Sequence, residues 1–237
     1  MRKSYTLSWI PLVGKQMSKR HNRAGLLYAL SPLNVILLVL AYVAQFLYGP
    51  LTVWAARLEL PAFHEILFID NIIPYVPVAI VPYLSMYVFV VLALVVFVLR
   101  RDRLGLTIYL LACTFVWSVS NWVYVVFPTA IILRPAVPGS DFFGRVVAWF
   151  YENHSTYGAF ISGHNSSAAL AASGFASMRT RFTPIAVLWA ASICISTWLV
   201  KQHYVLDSVG SVTFALAVYW VCSGVLQQIA KGDASLT

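Results

Sequence analysis

Residues 33–54 read LNVILLVLAYVAQFLYGPLTVW, a run of apolar residues with no Asp, Glu, Lys or Arg in it. About 20 such residues are needed for a helix to cross the hydrocarbon core of a bilayer, so this stretch is read as a membrane span. Five further apolar stretches follow, near 72–99, 104–126, 159–178, 182–200 and 204–229, which together leave room for six helices in 237 residues and no second domain. The second stretch carries Pro74, Pro77 and Pro82 in its first half, and the fourth is rich in Ala, Ser and Gly, which lets helices approach closely in lipid. Only 10% of the chain is charged against 60% hydrophobic. A water-soluble domain needs about 25% charged residues to cover its surface. A soluble enzyme and a disordered chain are both excluded, and the long apolar blocks argue for helices, not for the alternating pattern of a barrel. The expected organisation is an all-α polytopic membrane protein: a basic segment over 1–32, a six-helix membrane domain over 33–230 and a tail over 231–237.

The charge pattern orients it. Of 16 Lys and Arg residues, 12 fall before the first span, in the loops around Arg100 to Arg103 and Arg179 to Arg181, and at Lys231. Arg57, Arg134, Arg145 and Lys201 fall on the other side, together with six of the eight acids. The positive-inside rule places both termini in the cytoplasm. The net charge of +8 is therefore read as orientation and contact with anionic lipid, not as a nucleic-acid surface. The first apolar run comes too late and is too long for a cleavable signal. The compact size suggests a bacterial inner membrane. The extracytoplasmic side then carries a loop of about thirty residues, from Phe127 to Gly158, well beyond ordinary connection length. Cys113, Cys194 and Cys222 all lie in apolar stretches, where free Cys is a packing residue. The Trp and Tyr residues near span ends fit an interfacial belt.

Ionisable groups at membrane depth are costly, and so point to function. Arg134 in ILRP, His164 in FISGHNSS, and His203 and Asp207 in KQHYVLD all fall at the extracytoplasmic ends of spans. His203 and Asp207 are spaced i, i+4, which puts them one turn apart on one helix face. A carboxylate there fixes the imidazole tautomer and leaves the other ring nitrogen free as a nucleophile. A second histidine, His164, can protonate a leaving oxygen. Arg134 offers a planar fork for phosphate oxygens, and Ser162 and Gly163 open a helix whose free N–H groups favour an anion. These parts describe phosphoryl transfer through a phosphohistidine. Two histidines and an aspartate are also a conceivable ligand set, but the arginine and the glycine-bearing helix start suit phosphate better, so no metal and no cofactor is expected and activity should survive a chelator. Taken singly, each residue has a plainer reading: an interfacial histidine, a snorkelling arginine, or a small packing residue in the case of Ser162, Gly163 or Ser196. His154 and Glu152 fit a solvated loop.

The three segments, in this order, resemble the signature motifs of the type-2 phosphatidic acid phosphatase superfamily. Arg134-Pro135 matches the end of the first motif, Ser162-Gly163-His164 the second, and Ser196, His203 and Asp207 the third, with the family's spacing. The resemblance implies a six-helix membrane core and a His–His–Asp triad of His164, His203 and Asp207. It also implies phosphate contacts from Arg134, Ser162, Gly163 and Ser196, with Lys201 as a substitute cation. The chain departs from the pattern where Phe127 replaces a lysine, Ile161 a proline and Thr197 an arginine. Fewer cations suit a phosphodiester, with its single charge, better than a monoester dianion. Together with the HYxxD and KQHYVLD strings, this resembles the sphingomyelin synthase and inositol phosphorylceramide synthase branch. The implied activity moves a phospho-head group from a membrane phospholipid to a lipid or polyol hydroxyl. The alternative is a lipid phosphate or diphosphate phosphatase with water as acceptor, and a third reading is a non-catalytic lipid-binding protein.

Overall fold

The computed structural model describes residues 29–64, 66–136 and 139–235. The basic segment expected over 1–32 therefore lies almost wholly outside the described residues. Among them the helices run α1 Pro32–Arg57, α2 Phe68–Ile72, α3 Ile80–Leu99, α4 Arg103–Val126, α5 Phe142–Asn153, α6 Gly163–Ser177, α7 Thr183–Leu199 and α8 Val205–Ser235. A 3-10 turn, Pro77–Ala79, leads into α3. The described residues form no β-strand; isolated bridges join Phe63 to Thr129 and Ala130 to Tyr157. The chain is all-helical, and each of the six apolar stretches contains one long helix. Four of these are long and apolar enough to cross a membrane: α1, the 3-10 turn with α3, α4, and α8 up to Gly232. The 15-residue α6 spans only about 22 Å at 1.5 Å per residue and the 17-residue α7 about 25 Å, both short of a hydrocarbon core of about 30 Å.

Helix ends follow local sequence. Ser31 accepts the Asn34 N–H, with Pro32 as first helical residue, and so starts α1. Asp102 starts α4 by accepting from Gly105, and Asp141 starts α5 by accepting from Gly144. The prolines of the second stretch shape its entry: Pro74 and Pro77 precede α3, and Pro82 sits in its first turn, where no intrahelical N–H is lost. Two expectations need correction. The long loop from Phe127 is not without structure, because it contains α5, an amphipathic helix that buries Val147 and Phe150. The expected tail begins inside α8, which runs on through Ser235.

The centre of the bundle is α6. It packs against α3, α4, α7 and α8, while α1 packs on α4 at the periphery. Most of α6 is buried, and its Ala, Ser and Gly residues are what permit four neighbours at close range. Gly163 shows the limit: a Cβ there would run into the Trp117 ring of α4. The main core joins Phe89, Phe97, Tyr109, Val116, Leu170, Phe175 and Ile193. A smaller cluster of Ile80, Tyr83, Val147, Phe150 and Val200 roofs one end of the bundle with α5, and Ile131, Ala159 and Tyr204 tie the long loop to the start of α8. Outward, α1 exposes Val35, Ile36, Val39 and Phe46, α3 exposes Val88 and Val91, and α8 exposes Trp220, Val225 and Ile229. An apolar belt of that extent marks a surface made for lipid.

Candidate active site

All of the eight residues singled out in sequence except Ser196 sit in the turn from α7 into α8 and its first helical turn, the start of α6 and the Arg134 segment, at the end of the bundle roofed by α5. His203 lies just before α8 and is 8% exposed. Its Nδ1 donates to the Ala159 carbonyl at 2.9 Å. Donation from Nδ1 fixes the tautomer and leaves the Nε2 lone pair free. The partner is thus a backbone oxygen, not the expected carboxylate. Asp207 Oδ2 stands 3.7 Å from Nδ1, an ion-pair distance and not a hydrogen bond. Its nearer contact is the Tyr204 N–H at 2.8 Å, the reach-back of a third helical residue to the N-cap backbone. Asp207 is fully buried, and its Oδ1 meets no donor among the described residues. The carboxylate therefore both starts α8 and lies close enough to stabilise positive charge on His203.

His164 is the second residue of α6. Its ring stacks on Tyr83 at 4.0 Å and meets Tyr87 edge-on at 5.7 Å. The centroids of the His164 and His203 rings are 6.5 Å apart. The two rings are tilted by 49° to one another. His164 Nε2 is buried without a partner among the described residues.

Ser162 caps α6, its Oγ accepting from Asn165 at 3.3 Å while its own N–H donates to Ser211 Oγ at 2.7 Å. Ser211 in turn donates to the Asp207 carbonyl, so one hydroxyl ties the start of α6 to the first turn of α8. Gly163 supplies the absent Cβ against Trp117 described above. Arg134 is held on three sides: Nη1 donates to His154 O at 3.1 Å, and Nη2 to Ser155 O at 3.0 Å and to Gln202 Oε1 at 2.8 Å. Its guanidinium lies 4.8 Å over the Tyr151 ring, and its Nε–H is buried without an acceptor. Burial lowers the Arg134 pKa from its ordinary value, yet a guanidinium stays charged. The same burial lowers the His154 pKa, with Arg134 pushing further in that direction.

The remaining two are elsewhere engaged. Lys201, at φ +49°, sends its ammonium to the Asp70 and Ile73 carbonyls at 3.0 and 2.7 Å. It closes the end of α2, and burial lowers its pKa while Asp70 opposes that. Ser196 donates to Ile193 O at 2.6 Å inside α7. A small cavity of about 10 Å³, lined by Asp70, Ile131, Trp198, Lys201, His203 and Tyr204 among others, lies beside His203.

Several residues that brace the site lie outside the eight singled out in sequence, although Asn165, beside His164, is in sequence also a candidate for phosphate contact. Asp70 is buried and accepts from both Leu67 N and Val205 N at 2.8 Å, which docks α2 on the first residue of α8. Asn165 donates to Ser208, which also receives Trp198 Nε1 at 2.6 Å, and thereby locks α6, α7 and α8 together beneath the histidines. Tyr124 donates to Ile161 O, and Thr129 Oγ1 accepts from Phe160 N at 2.7 Å. The signal for Asn165 and Ser208 was their polarity inside apolar spans. Nothing local marks Asp70. Among the described residues no group of three or more His, Cys, Asp or Glu is gathered to hold a metal. Comparison of the chain with known families, with curated proteins and with solved structures finds no match.

Proposed function

We propose that this chain is an integral membrane phosphotransferase of the type-2 phosphatidic acid phosphatase kind, with α1, α3, α4, α6, α7 and α8 crossing a bacterial inner membrane. Both termini are cytoplasmic and the site faces outward. The short α6 fits this reading because four helices shield it from lipid, so its length need not match the bilayer. Arg100, Arg101, Arg103, Arg179 and Arg181 at the end opposite the histidines fit the cytoplasmic bias of basic residues.

In the first half-reaction His203 Nε2 attacks phosphorus of a phospholipid and forms a P–N bond. The P–O bond to the lipid alkoxide breaks, and His164 gives that oxygen its proton. The Nδ1–H stays on the Ala159 carbonyl, and the Asp207 carboxylate balances the charge left on the imidazole. Arg134 neutralises the phosphate oxygens. In the second half-reaction a lipid or polyol hydroxyl gives its proton to His164, attacks phosphorus and frees His203. The observation that carries this reading is the pairing of two imidazoles at 6.5 Å, one of them with its tautomer set by a backbone carbonyl. The phosphodiester is favoured as donor because Lys201 is engaged by two carbonyls, which leaves Arg134 as the cation beside the histidines.

Purified protein in liposomes of mixed phospholipids, with diacylglycerol, ceramide and polyols offered as acceptors, tests this. A new phosphodiester by mass spectrometry is the expected result. Release of inorganic phosphate from lipid phosphates would identify water as acceptor, and no turnover across the panel would refute the enzyme.

A further inference from the structure

The turn between α7 and α8 is fixed by two backbone donors, the N–H groups of Gln202 and His203, which reach the Thr197 carbonyl at 2.9 and 3.2 Å. Lys201 on one side is spent on the end of α2. Gln202 instead meets Arg134. It is 7% exposed, and its Oε1 accepts from Nη2 of the guanidinium at 2.8 Å. That bond settles the amide's orientation, since a guanidinium can only donate. The oxygen faces Arg134, and the NH₂ is the free end.

The free end is also buried. Gln202 Nε2 meets no acceptor among the described residues, and the same holds for Arg134 Nε. Each of these atoms is two bonds from the Nη2–Oε1 contact, so a charged N–H and a neutral NH₂ belong to one hydrogen-bonded pair, one residue from His203 in the chain. A buried donor with no acceptor carries its full desolvation penalty until one arrives. Two neighbouring donors, one of them cationic, call for an anion with more than one acceptor oxygen.

We infer that Gln202 is a phosphate-binding residue, its Nε2 and the Arg134 Nε–H holding the non-bridging oxygens of a singly charged phosphodiester. This deepens the phosphotransfer reading and rests on it. A diester brings one negative charge to one guanidinium. A monoester dianion, free phosphate included, brings a second charge that a neutral amide in a buried site leaves uncompensated.

A merely bracing role for Gln202 needs only its Oε1. Gln202→Glu separates the two roles, because it keeps an oxygen for Arg134 and replaces the free donor by a charged acceptor. The full chain in lipid nanodiscs is titrated with dimethyl phosphate and with methyl phosphate, followed by ³¹P NMR. Wild type should bind dimethyl phosphate more tightly than methyl phosphate. Gln202→Glu should weaken dimethyl phosphate by about ten- to a hundredfold, the range for a lost hydrogen bond to a charged group. Gln202→Met, which removes the donor and Oε1 together without adding charge, should weaken it less, and unchanged binding in this variant still overturns the inference if the Glu variant fails to fold. Dimethyl phosphate binding unchanged in both variants, but weakened in Arg134→Ala, would overturn this inference and leave the phosphotransfer reading standing. Tighter binding of methyl phosphate by wild type would overturn the diester assignment. Absence of binding to wild type would overturn the inference as well, and His203-dependent turnover in liposomes then decides whether the wider reading falls with it.

Discussion

The two ends of this bundle both bury polar side chains, and they use them differently. At the end where α1 and α4 begin, Asn34 is fully buried and fully employed. Its Nδ2 donates to the Ala29 and Arg103 carbonyls at 2.7 and 3.2 Å, and its Oδ1 accepts from Thr107 at 2.7 Å. At the histidine end, Arg134 Nε, His164 Nε2, Asn165 Oδ1, Gln202 Nε2 and Asp207 Oδ1 are buried and left without partners among the described residues. A satisfied network stabilises one arrangement of helices. An unsatisfied one costs stability, and that cost is tolerated where a ligand makes up the missing bonds. Tyr109 Oη, in the first half of α4, is also without a partner among the described residues, but several such atoms gather at the histidine end, which supports the site proposed there.

Replacing residues at each end should break or sharpen that contrast. The largest effect is expected of His203→Ala, which removes the proposed nucleophile: turnover of the liposome substrate should fall by about four to six orders of magnitude. A variant that stays active would remove His203 from its role. His164→Ala should cost about two to four orders with a lipid alkoxide leaving group. With a nitrophenyl ester, whose leaving group needs no proton, the loss should be much smaller; equal loss with both would deny His164 the part of acid. The smallest effect on catalysis is expected of Asn34→Ala. It should destabilise the fold by about 1–3 kcal/mol, visible as a lowered melting temperature, with turnover per folded molecule unchanged. If Asn34→Ala instead lowered turnover at unchanged melting temperature, the division between the two ends would be lost.

What could be read from the chain alone follows the range of the interactions involved. Apolar blocks report burial or lipid locally, so all six long helices were visible at 33–54 and the five later stretches. The boundaries were legible wherever a cap was local, as at Ser31 and Asp102. The amphipathic α5 had its own signal, an Asp141 cap followed by apolar residues at Phe143, Val146, Val147 and Phe150, but it was masked by the surrounding loop. The short α2 holds together through Asp70 and Lys201, residues far apart in sequence, and left no local trace. The site divides in the same way. His203 and Asp207 were readable because i, i+4 spacing is local. The partner that sets the His203 tautomer was not, because Ala159 reaches it across 44 positions. Lys201 looked like a phosphate ligand for want of any local sign that carbonyls on α2 engage it. Gln202 looked like nothing until Arg134 was placed against it.

The central claim concerns a covalent bond, and trapping it is the most direct measurement. Purified protein mixed with a phospholipid donor in the absence of acceptor, quenched at alkaline pH and digested, should yield a phosphorus-bearing adduct on the peptide that contains His203. The adduct should disappear on mild acid treatment and on addition of an acceptor hydroxyl. Product formed at full rate with no adduct, or an adduct that persists in His203→Ala, would contradict the account.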